Sequence, residues 1–303
     1  MFSYRHGFHA GNHADVLKHM VLVQLLAYLN QKDAAYMVID THAGAGAYQL
    51  DSDYATKSGE SETGIARLWE HKDAPDIVSD YLEVIRAMNP SGRLRHYPGS
   101  PFIAEQVMRE QDRLRLFELH STDIRLLEDN FRKLDAHQAA NGVRHNPRGK
   151  RVMIQRADGF AGLKALLPPP SRRGLVLIDP PYEDKDDYRK VKAALEDAQR
   201  RFATGTYAIW YPVLGRLESQ QLPERLKRAA AADWLHVTLS IGAPAEGRGL
   251  HSSGMFIINP PWTLEGSLKQ AMPWLAGVLG RGGAGRFQIQ QGSAVAPVRE
   301  RRE

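Results

Sequence analysis

The residues with the clearest chemical meaning are Asp179-Pro180-Pro181-Tyr182, which follow the apolar run Gly174–Ile178. The exocyclic amine of a nucleobase is a poor nucleophile because its lone pair is delocalised into the ring. A carboxylate and a rigid backbone carbonyl, each accepting one N–H bond, would draw the nitrogen toward tetrahedral geometry. The prolines fix φ and so hold the Pro180 carbonyl, while Tyr182 offers a ring face to a flipped base. The motif predicts methylation of a base amine, with Asp179 as the catalytic acceptor.

A glycine-rich turn supplies a candidate site for the methyl donor. It runs from His42 through Gly44 to Gly46, directly after the strand predicted at Tyr36–Asp40. The two glycines let the backbone approach a ligand closely. A dinucleotide fingerprint would need a third glycine where Gln49 stands. A shorter Gly-x-Gly after an acidic strand end is typical of S-adenosylmethionine loops, although a tight structural turn would look the same.

Acidic residues at two further strand ends strengthen the prediction of a donor site. Glu118 lies near the end of Leu114–Leu119 and could accept both ribose hydroxyls of an adenosyl group. Asp158-Gly159 follows Val152–Arg156, where a carboxylate could accept from the adenine amine while a backbone N–H donates to the ring. The carboxyl ends of parallel strands share one edge of a sheet, which is where ligands bind in such folds. The cofactor predicted at this edge is S-adenosylmethionine.

The elements that must position these residues alternate between strand and helix. Helical patterns cover Ala14–Leu29, Ile124–Leu134 and Tyr188–Phe202. The predicted strands are Tyr36–Asp40, Leu114–Leu119, Val152–Arg156, Gly174–Ile178, Tyr207–Tyr211, Leu235–Ile241 and Met255–Asn259. Such alternation predicts an α/β fold with a mostly parallel sheet. The last two strands are joined by a glycine-rich segment without helical pattern, so they should pair antiparallel. This is the Rossmann-like class I methyltransferase sheet, with its seventh strand antiparallel.

The spacing of the elements divides the chain. Between Gly46 and Leu114 lie 67 residues, far more than a crossover connection needs. We therefore expect residues 51–100 to be an inserted small helical subdomain, with helical pattern at Gly64–His71 and Ile77–Met88. Residues 1–50 and 101–280 would form the core. The glycine- and arginine-rich tail at 281–303 is expected to be disordered.

A second proline pair resembles the first. Asn259-Pro260-Pro261-Trp262 also combines an amide or acid, two prolines and an aromatic ring. It follows the strand predicted to be antiparallel, so its residues should lie at the edge of the sheet opposite the cofactor. We interpret it as a structural turn.

The amino-terminal segment is rich in aromatic and basic residues. Tyr4 could stack on a base, and Lys18 and His19 could reach phosphate or cofactor. We predict that Tyr4 and Lys18 contact the RNA and that Arg5 strengthens RNA binding. Four histidines occur between residues 6 and 19, but their spacing matches no common zinc ligand set. No metal site is predicted, and an ordinary arm packed on the sheet is the alternative.

Composition limits the remaining possibilities. The 303 residues contain no cysteine, which excludes disulfides and thiolate metal sites. No signal peptide or membrane-spanning run is evident, so we expect a cytoplasmic protein. A net charge of +5 and a pI near 9.3 modestly favour a polyanionic partner.

Taken together, the motifs closely resemble the bacterial 23S ribosomal RNA adenine-N6 methyltransferases of the RlmJ family, over nearly all of residues 1–275. The matching segments are SYRH and FHAGNHADVLKH at the start, then DTHAGAG, YPGSP, FELH, RADGF, IDPPY, RFATGTYAIWYP and INPPW. The resemblance implies that the methylated base is adenine 2030 of that RNA. It implies that Asp179 is the catalytic acceptor and that Tyr4 meets the RNA. It also implies cofactor contacts from His19, His42, Ser100, Glu118, Asp158 and Gly159. With Gly44 of the glycine turn and Asp179, these make eight residues that we predict to contact the cofactor.

Two other functions fit parts of the pattern. The same aspartate-proline motif serves DNA adenine-N6 and cytosine-N4 methyltransferases, but about fifty inserted residues leave little room for a DNA-reading domain. A non-catalytic RNA-binding ribosome-assembly factor is the third possibility, and the intact Asp179 argues against it. We expect the partner to be ribosomal RNA rather than the fully assembled ribosome, with no membrane or obligate protein partner.

Overall fold

The computed structural model describes residues 7, 9–51, 59–140, 151–243 and 249–294. Strands in these ranges are β1 (Met37–Asp40), β2 (Ala47–Gln49), β3 (His96–Pro98), β4 (Arg113–Phe117), β5 (Val152–Gln155), β6 (Gly174–Ile178), β7 (Thr206–Pro212), β8 (Trp234–Ser240), β9 (Ser252–Ile258) and β10 (Arg286–Gly292). Helices are α1 (His13–Asn30), α2 (Ile65–Trp69), α3 (Asp76–Ala87), α4 (Ser100–Val107), α5 (Ser121–Ala140), α6 (Gly159–Leu166), α7 (Lys185–Arg201), α8 (Leu217–Ala229) and α9 (Leu264–Leu279).

Eight of the strands form one sheet in the order β10-β8-β9-β7-β6-β1-β4-β5. The strands β5, β4, β1, β6 and β7 run parallel to one another. All five residues of β6 are buried, which is typical of a parallel strand covered by helices on both faces. The predicted α/β sheet is confirmed, and the ends of β1, β4 and β6 meet at one edge.

The carboxyl-terminal part of the sheet reverses direction. Strand β9 lies between β7 and β8 and is antiparallel to both, with Ile258 opposite Tyr207 on one side and Trp234 on the other. The predicted antiparallel pairing of the last two core strands is confirmed. As a result, the residue after β9 lies at the opposite edge from the residues after β6 and β7.

The expectation of a disordered tail is wrong for its first part. After a short 3-10 turn at Arg281–Gly283, strand β10 pairs antiparallel with β8 along its whole length, from Arg286 opposite Ser240 to Gly292 opposite Trp234. The glycine and arginine content suggested disorder, but the exposed edge of β8 offers a row of backbone hydrogen-bonding groups that this segment satisfies. Residues 295–303 lie outside the described part of the chain.

The segment between β2 and β3 contains both helices that the sequence pattern predicts, α2 and α3. Strands β2 and β3 pair with each other and so bring the two ends of the segment together. Helix α3 packs against α1 and α9. The helical content is therefore confirmed, while the boundaries 51–100 as a separate subdomain remain a proposal.

Helix α1 lies between neighbouring helices and the sheet. Asn12 caps it by accepting hydrogen bonds from the backbone N–H groups of Ala14 and Asp15. Most of its residues are buried on all sides, because it packs against α4, α3 and the strand β9. Among the described residues, no helix is long and apolar enough to cross a membrane.

Candidate active site

A cavity of about 440 Å³ lies at the sheet edge where β1, β4 and β6 end. All eight residues that the sequence predicted to contact the cofactor line this one cavity. They are His19, His42, Gly44, Ser100, Glu118, Asp158, Gly159 and Asp179. Residues up to 160 positions apart in the chain are thus brought together by the parallel sheet.

The glycine turn after β1 is tied to the acid after β4. Gly44 has a φ of 60° and its N–H donates to Glu118 Oε2 at 2.8 Å. The backbone N–H of His120 donates to Glu118 Oε1 at 2.6 Å. Burial raises the pKa of the Glu118 carboxyl above its usual range. Each oxygen retains acceptor capacity, so the carboxylate is held in place and can still accept from a ligand hydroxyl.

The acid and glycine after β5 form the start of helix α6. Asp158 caps the helix, since its Oδ1 accepts from the N–H of Phe160 at 2.8 Å. A Cβ atom added at Gly159 would lie 2.1 Å from the backbone oxygen of Thr41. Glycine is therefore required where α6 meets the end of β1. Asp158 therefore has a structural role as a helix cap. Its contact with the cofactor stays a prediction.

A buried acid that the sequence analysis did not select supports this wall of the cavity. Asp40, the last residue of β1, is 2% exposed. It accepts from Ser100 Oγ at 2.7 Å and from the N–H of His42 at 3.1 Å. Burial raises the pKa of Asp40 to about 6 and lowers that of His42 to about 4. The signal was present in the sequence, because Asp40 follows a buried run and precedes the glycine turn.

His19 contributes to the cavity wall from the buried side of α1. Its side chain is fully buried in α1, and its Nδ1 lies 2.8 Å from the hydroxyl of Tyr97. The Tyr97 hydroxyl in turn lies 2.9 Å from that of Tyr81 in α3. This network connects the cofactor cavity to the inserted helices.

The structure places Lys18 between two carboxylates, and its contact with RNA stays a prediction. Lys18 is buried, and its Nζ lies 2.6 Å from Asp179 Oδ2 and 3.0 Å from Asp15 Oδ1. Burial acts to lower the pKa of Lys18, yet the two carboxylates outweigh it and raise that pKa well above its usual range. Sequence alone could not place α1 beside β6, so a basic residue near the amino terminus looked like a surface group.

Tyr182 lines the second cavity but is otherwise enclosed, and its stacking on a base stays a prediction. Tyr182 is 2% exposed, and its hydroxyl donates to the backbone oxygen of Trp210 at 2.7 Å. Its ring packs against Tyr188, with centroids 4.7 Å apart. With a φ of 53°, the residue turns its side chain into the core. Tyr182 therefore braces the proline corner instead of presenting a free ring face.

A second cavity of about 260 Å³ lies on the other side of Asp179. Lys18, Asp179, Pro181 and Glu183 line both cavities. The other walls of the second cavity include His9, Asn12, Trp210, Arg216 and Leu250. Asp179 thus stands at the boundary between two spaces, one of which carries the predicted cofactor residues.

The second proline pair is confirmed as a structural turn. Asn259 Nδ2 donates to the backbone oxygens of Ala203 and Gly205, both at 2.8 Å, next to the start of β7. This position is the sheet edge opposite Asp179. Trp262 is 83% exposed, and neither cavity includes any residue of this turn. The predicted RNA contacts Tyr4 and Arg5 lie outside the described residues.

The fold and the site together define a Rossmann-like S-adenosylmethionine-dependent methyltransferase. The residues present fit that cofactor, since a fixed carboxylate follows β4, a glycine turn follows β1, and the cavity ends at the Asp179 corner. A family model described as "Ribosomal RNA large subunit methyltransferase D, RlmJ" matches residues 33–290. The chain belongs to the RlmJ family.

Individual relatives agree with this assignment. The chain is 46% identical over 289 residues to "Ribosomal RNA large subunit methyltransferase J" of Escherichia coli, covering 95% of this chain and 98% of that protein. The protein of the same name from Haemophilus influenzae is 44% identical over 291 residues, covering 96% and 98%. A crystal structure of a Legionella pneumophila protein has a TM-score of 0.81 and 34% identity, covering 94% of this chain and 98% of that one.

Proposed function

We propose that this protein methylates the exocyclic N6 amine of an adenine in large-subunit ribosomal RNA, with S-adenosylmethionine as donor. The observation that carries the proposal is the position of Asp179 between two cavities. The first holds the predicted cofactor residues, and the second leaves room for a single base beside the same carboxylate. The names of the curated relatives support ribosomal RNA as the substrate.

The side chains of this protein would bind and orient the reacting groups. Bound S-adenosylmethionine supplies an electrophilic methyl group on a sulfonium. A base turned out of its stack would enter the second cavity and place its amine at Asp179. The Asp179 carboxylate and the Pro180 carbonyl would then accept the two N–H bonds, leaving the nitrogen lone pair directed at the methyl carbon. Because both acceptors are fixed by the proline corner, little reorganisation is needed when the base arrives.

RNA is favoured over DNA because the described part of the chain has little additional structure for reading a duplex. Of the two helices between β2 and β3, α3 packs against α1 and α9 and α2 packs against α9, so both are engaged in the body of the protein. Structured RNA can instead be recognised by shape and by unpaired nucleotides. An RNA that is not yet packed into a ribosome would expose its bases to this cavity, and such a substrate agrees with the expected cytoplasmic location.

Labelled cofactor tests the proposal directly. The protein is incubated with naked 23S rRNA, assembled large subunits or duplex DNA, and labelled nucleosides are identified by mass spectrometry. We expect N6-methyladenosine in the naked RNA, at one position, and little label in assembled subunits. Preferential labelling of DNA, or a modified base other than adenine, would contradict the proposal. The Asp179→Ala variant serves as the inactive control.

A second measurement uses cells. Ribosomal RNA from cells with and without the gene is compared by mass spectrometry, and adenine 2030 is the position expected to lose its methyl group. Restoring the gene should restore the modification, whereas the Asp179→Ala gene should not.

A further inference from the structure

Asp15 is a buried carboxylate that the chemistry described so far does not use. It lies in the first turn of α1 and is 2% exposed. Its Oδ2 accepts the backbone N–H of Gly11 at 3.0 Å, and its Oδ1 lies 3.0 Å from Lys18 Nζ. The side chain is therefore fixed on one side by the backbone and directed at an ammonium group on the other.

Lys18 connects Asp15 to the catalytic acceptor. The same ammonium lies 2.6 Å from Asp179 Oδ2, and the Lys18 side chain is only 5% exposed. When both carboxylates are ionised, the two carboxylates and one ammonium carry a net charge of −1, with Asp15 and Lys18 almost fully buried and Asp179 14% exposed. Burying an excess charge is costly unless a partner of opposite charge is supplied. The cationic partner in the proposed reaction is the amine nitrogen as it becomes methylated.

We infer that Asp15 is a positioning residue that shares Lys18 with Asp179 and so preserves the negative charge of Asp179 for the base amine. This inference rests on the proposed function. The amine nitrogen gives its lone pair to the methyl carbon while the carbon–sulfur bond breaks and sulfur keeps that electron pair. Positive charge therefore moves onto the nitrogen beside Asp179, and the nitrogen then loses one proton through Asp179 to solvent. A net charge of −1 stabilises this change, whereas a neutral Lys18–Asp179 pair does so far less.

Removal of the Asp15 charge should leave Lys18 with Asp179 alone. The ammonium would then compete with the amine for the same carboxylate. Asp15→Asn is a suitable change because it keeps the size of the side chain and an oxygen that can accept from the Gly11 N–H. The variant then differs from the wild type by the loss of one negative charge, at the Asp15 end of the chain Asp15–Lys18–Asp179.

The experiment measures methyl transfer by the full chain to a 23S rRNA transcript. For Asp15→Asn we expect kcat to fall by about 10- to 100-fold, as befits one charge a few ångströms from the reacting nitrogen. The Kd of S-adenosylmethionine, measured by calorimetry, should change by less than about threefold, because the cofactor meets the opposite side of Asp179. Asp15→Glu, which keeps the charge, should recover most of the activity. Asp15→Ser provides a second uncharged variant if asparagine prevents folding.

A matched control separates charge from general stability. Asp112 is fully buried, accepts the N–H of Tyr36 and pairs with Arg109 at the start of β4, at the sheet edge away from the cavities. Asp112→Asn should lower the melting temperature without lowering kcat.

The outcomes are distinct. An unchanged kcat in Asp15→Asn overturns the inference, as does an equal loss in Asp15→Asn and Asp15→Glu that follows cofactor affinity. If the wild type labels DNA but not RNA, the proposed function fails while the role of Asp15 is still measured on the DNA amine. A wild type that labels neither overturns both.

Discussion

Two corners of this protein have nearly the same sequence pattern and opposite roles. Asp179-Pro180-Pro181-Tyr182 follows β6, and Asn259-Pro260-Pro261-Trp262 follows β9. The first lies between two cavities. The second closes onto the backbone at the start of β7 and leaves its tryptophan 83% exposed.

The direction of the strand decides the difference. Strand β6 is parallel to its neighbours, so its last residue shares an edge with the ends of β1 and β4. Strand β9 is antiparallel to β7, so its last residue lies at the other edge. A short motif therefore carries catalytic meaning only together with the direction of the strand that presents it.

The largest effect on stability is expected from removing the buried ammonium of Lys18 beside Asp179. Lys18→Met leaves Asp15 and Asp179 without their shared ammonium, which should lower the free energy of unfolding by about 3–5 kcal/mol. Urea unfolding measures this loss, and kcat should fall with it. Because Lys18 is buried, the salt dependence of RNA binding should stay unchanged. A flattened salt dependence would show instead that Lys18 contacts phosphate.

Asp179→Ala and Asn259→Ala compare the two corners directly. Asp179→Ala should lower kcat by about 10²–10³-fold, since it removes a preorganised acceptor. The Kd of S-adenosylmethionine should change far less. Asn259→Ala serves as the comparator and should leave kcat unchanged. Equal losses of kcat in both variants would contradict the assignment of a single catalytic corner.

The stability of the protein should also depend on pH, because of Asp40 at the sheet edge that carries the catalytic corner. Burial raises the pKa of Asp40 to about 6, above the value of about 3.9 expected in the unfolded chain. Between these values the native state keeps a proton that the unfolded state has released, so stability falls as pH rises. The total is up to about 3 kcal/mol. Asp40→Asn should remove this part of the pH dependence in urea unfolding from pH 4 to 7. Parallel curves for variant and wild type would refute it.

The turn at Asn259 should affect the stability of the protein and not its activity. Asn259 donates two hydrogen bonds to the carbonyls of Ala203 and Gly205 and has a φ of 52°, a conformation that asparagine tolerates better than alanine. Asn259→Ala should lower the free energy of unfolding by about 1–3 kcal/mol. Asn259→Gly also removes the hydrogen bonds, but glycine adopts a positive φ without strain. Its free energy of unfolding should therefore fall by less than that of Asn259→Ala. If both variants are as stable as the wild type, the turn is not held by this side chain.

The sequence predicted the sheet, and the residues that it places at one sheet edge line one cavity, for identifiable reasons. Continuous apolar runs such as Gly174–Ile178 indicate buried parallel strands, and a residue that directly follows such a strand has its location fixed by the sheet. This is why Gly44, Glu118 and Asp158 were found and why they line one cavity. Membership of the RlmJ family agrees with these positions.

The surroundings that the sequence did not predict belong to side chains whose neighbours come from distant parts of the chain. Lys18 looked like a surface base and Tyr182 like an open ring, but one is enclosed by carboxylates and the other by aromatic residues. Composition likewise suggested a disordered tail where β10 completes the sheet. A short sequence pattern does not indicate which distant residues pack against a side chain or a strand.

The sequence by itself determined which residues can do the chemistry, because apolar periodicity and the residues at strand ends depend on neighbours close in the chain. Only the tertiary structure decided which charged groups surround Asp179, because Lys18 pairs with it, and Asp15 pairs with Lys18, from a helix more than 150 residues earlier. Electrostatic interactions in a buried site depend on distances through space, and those distances exist only once the helix has packed on the sheet.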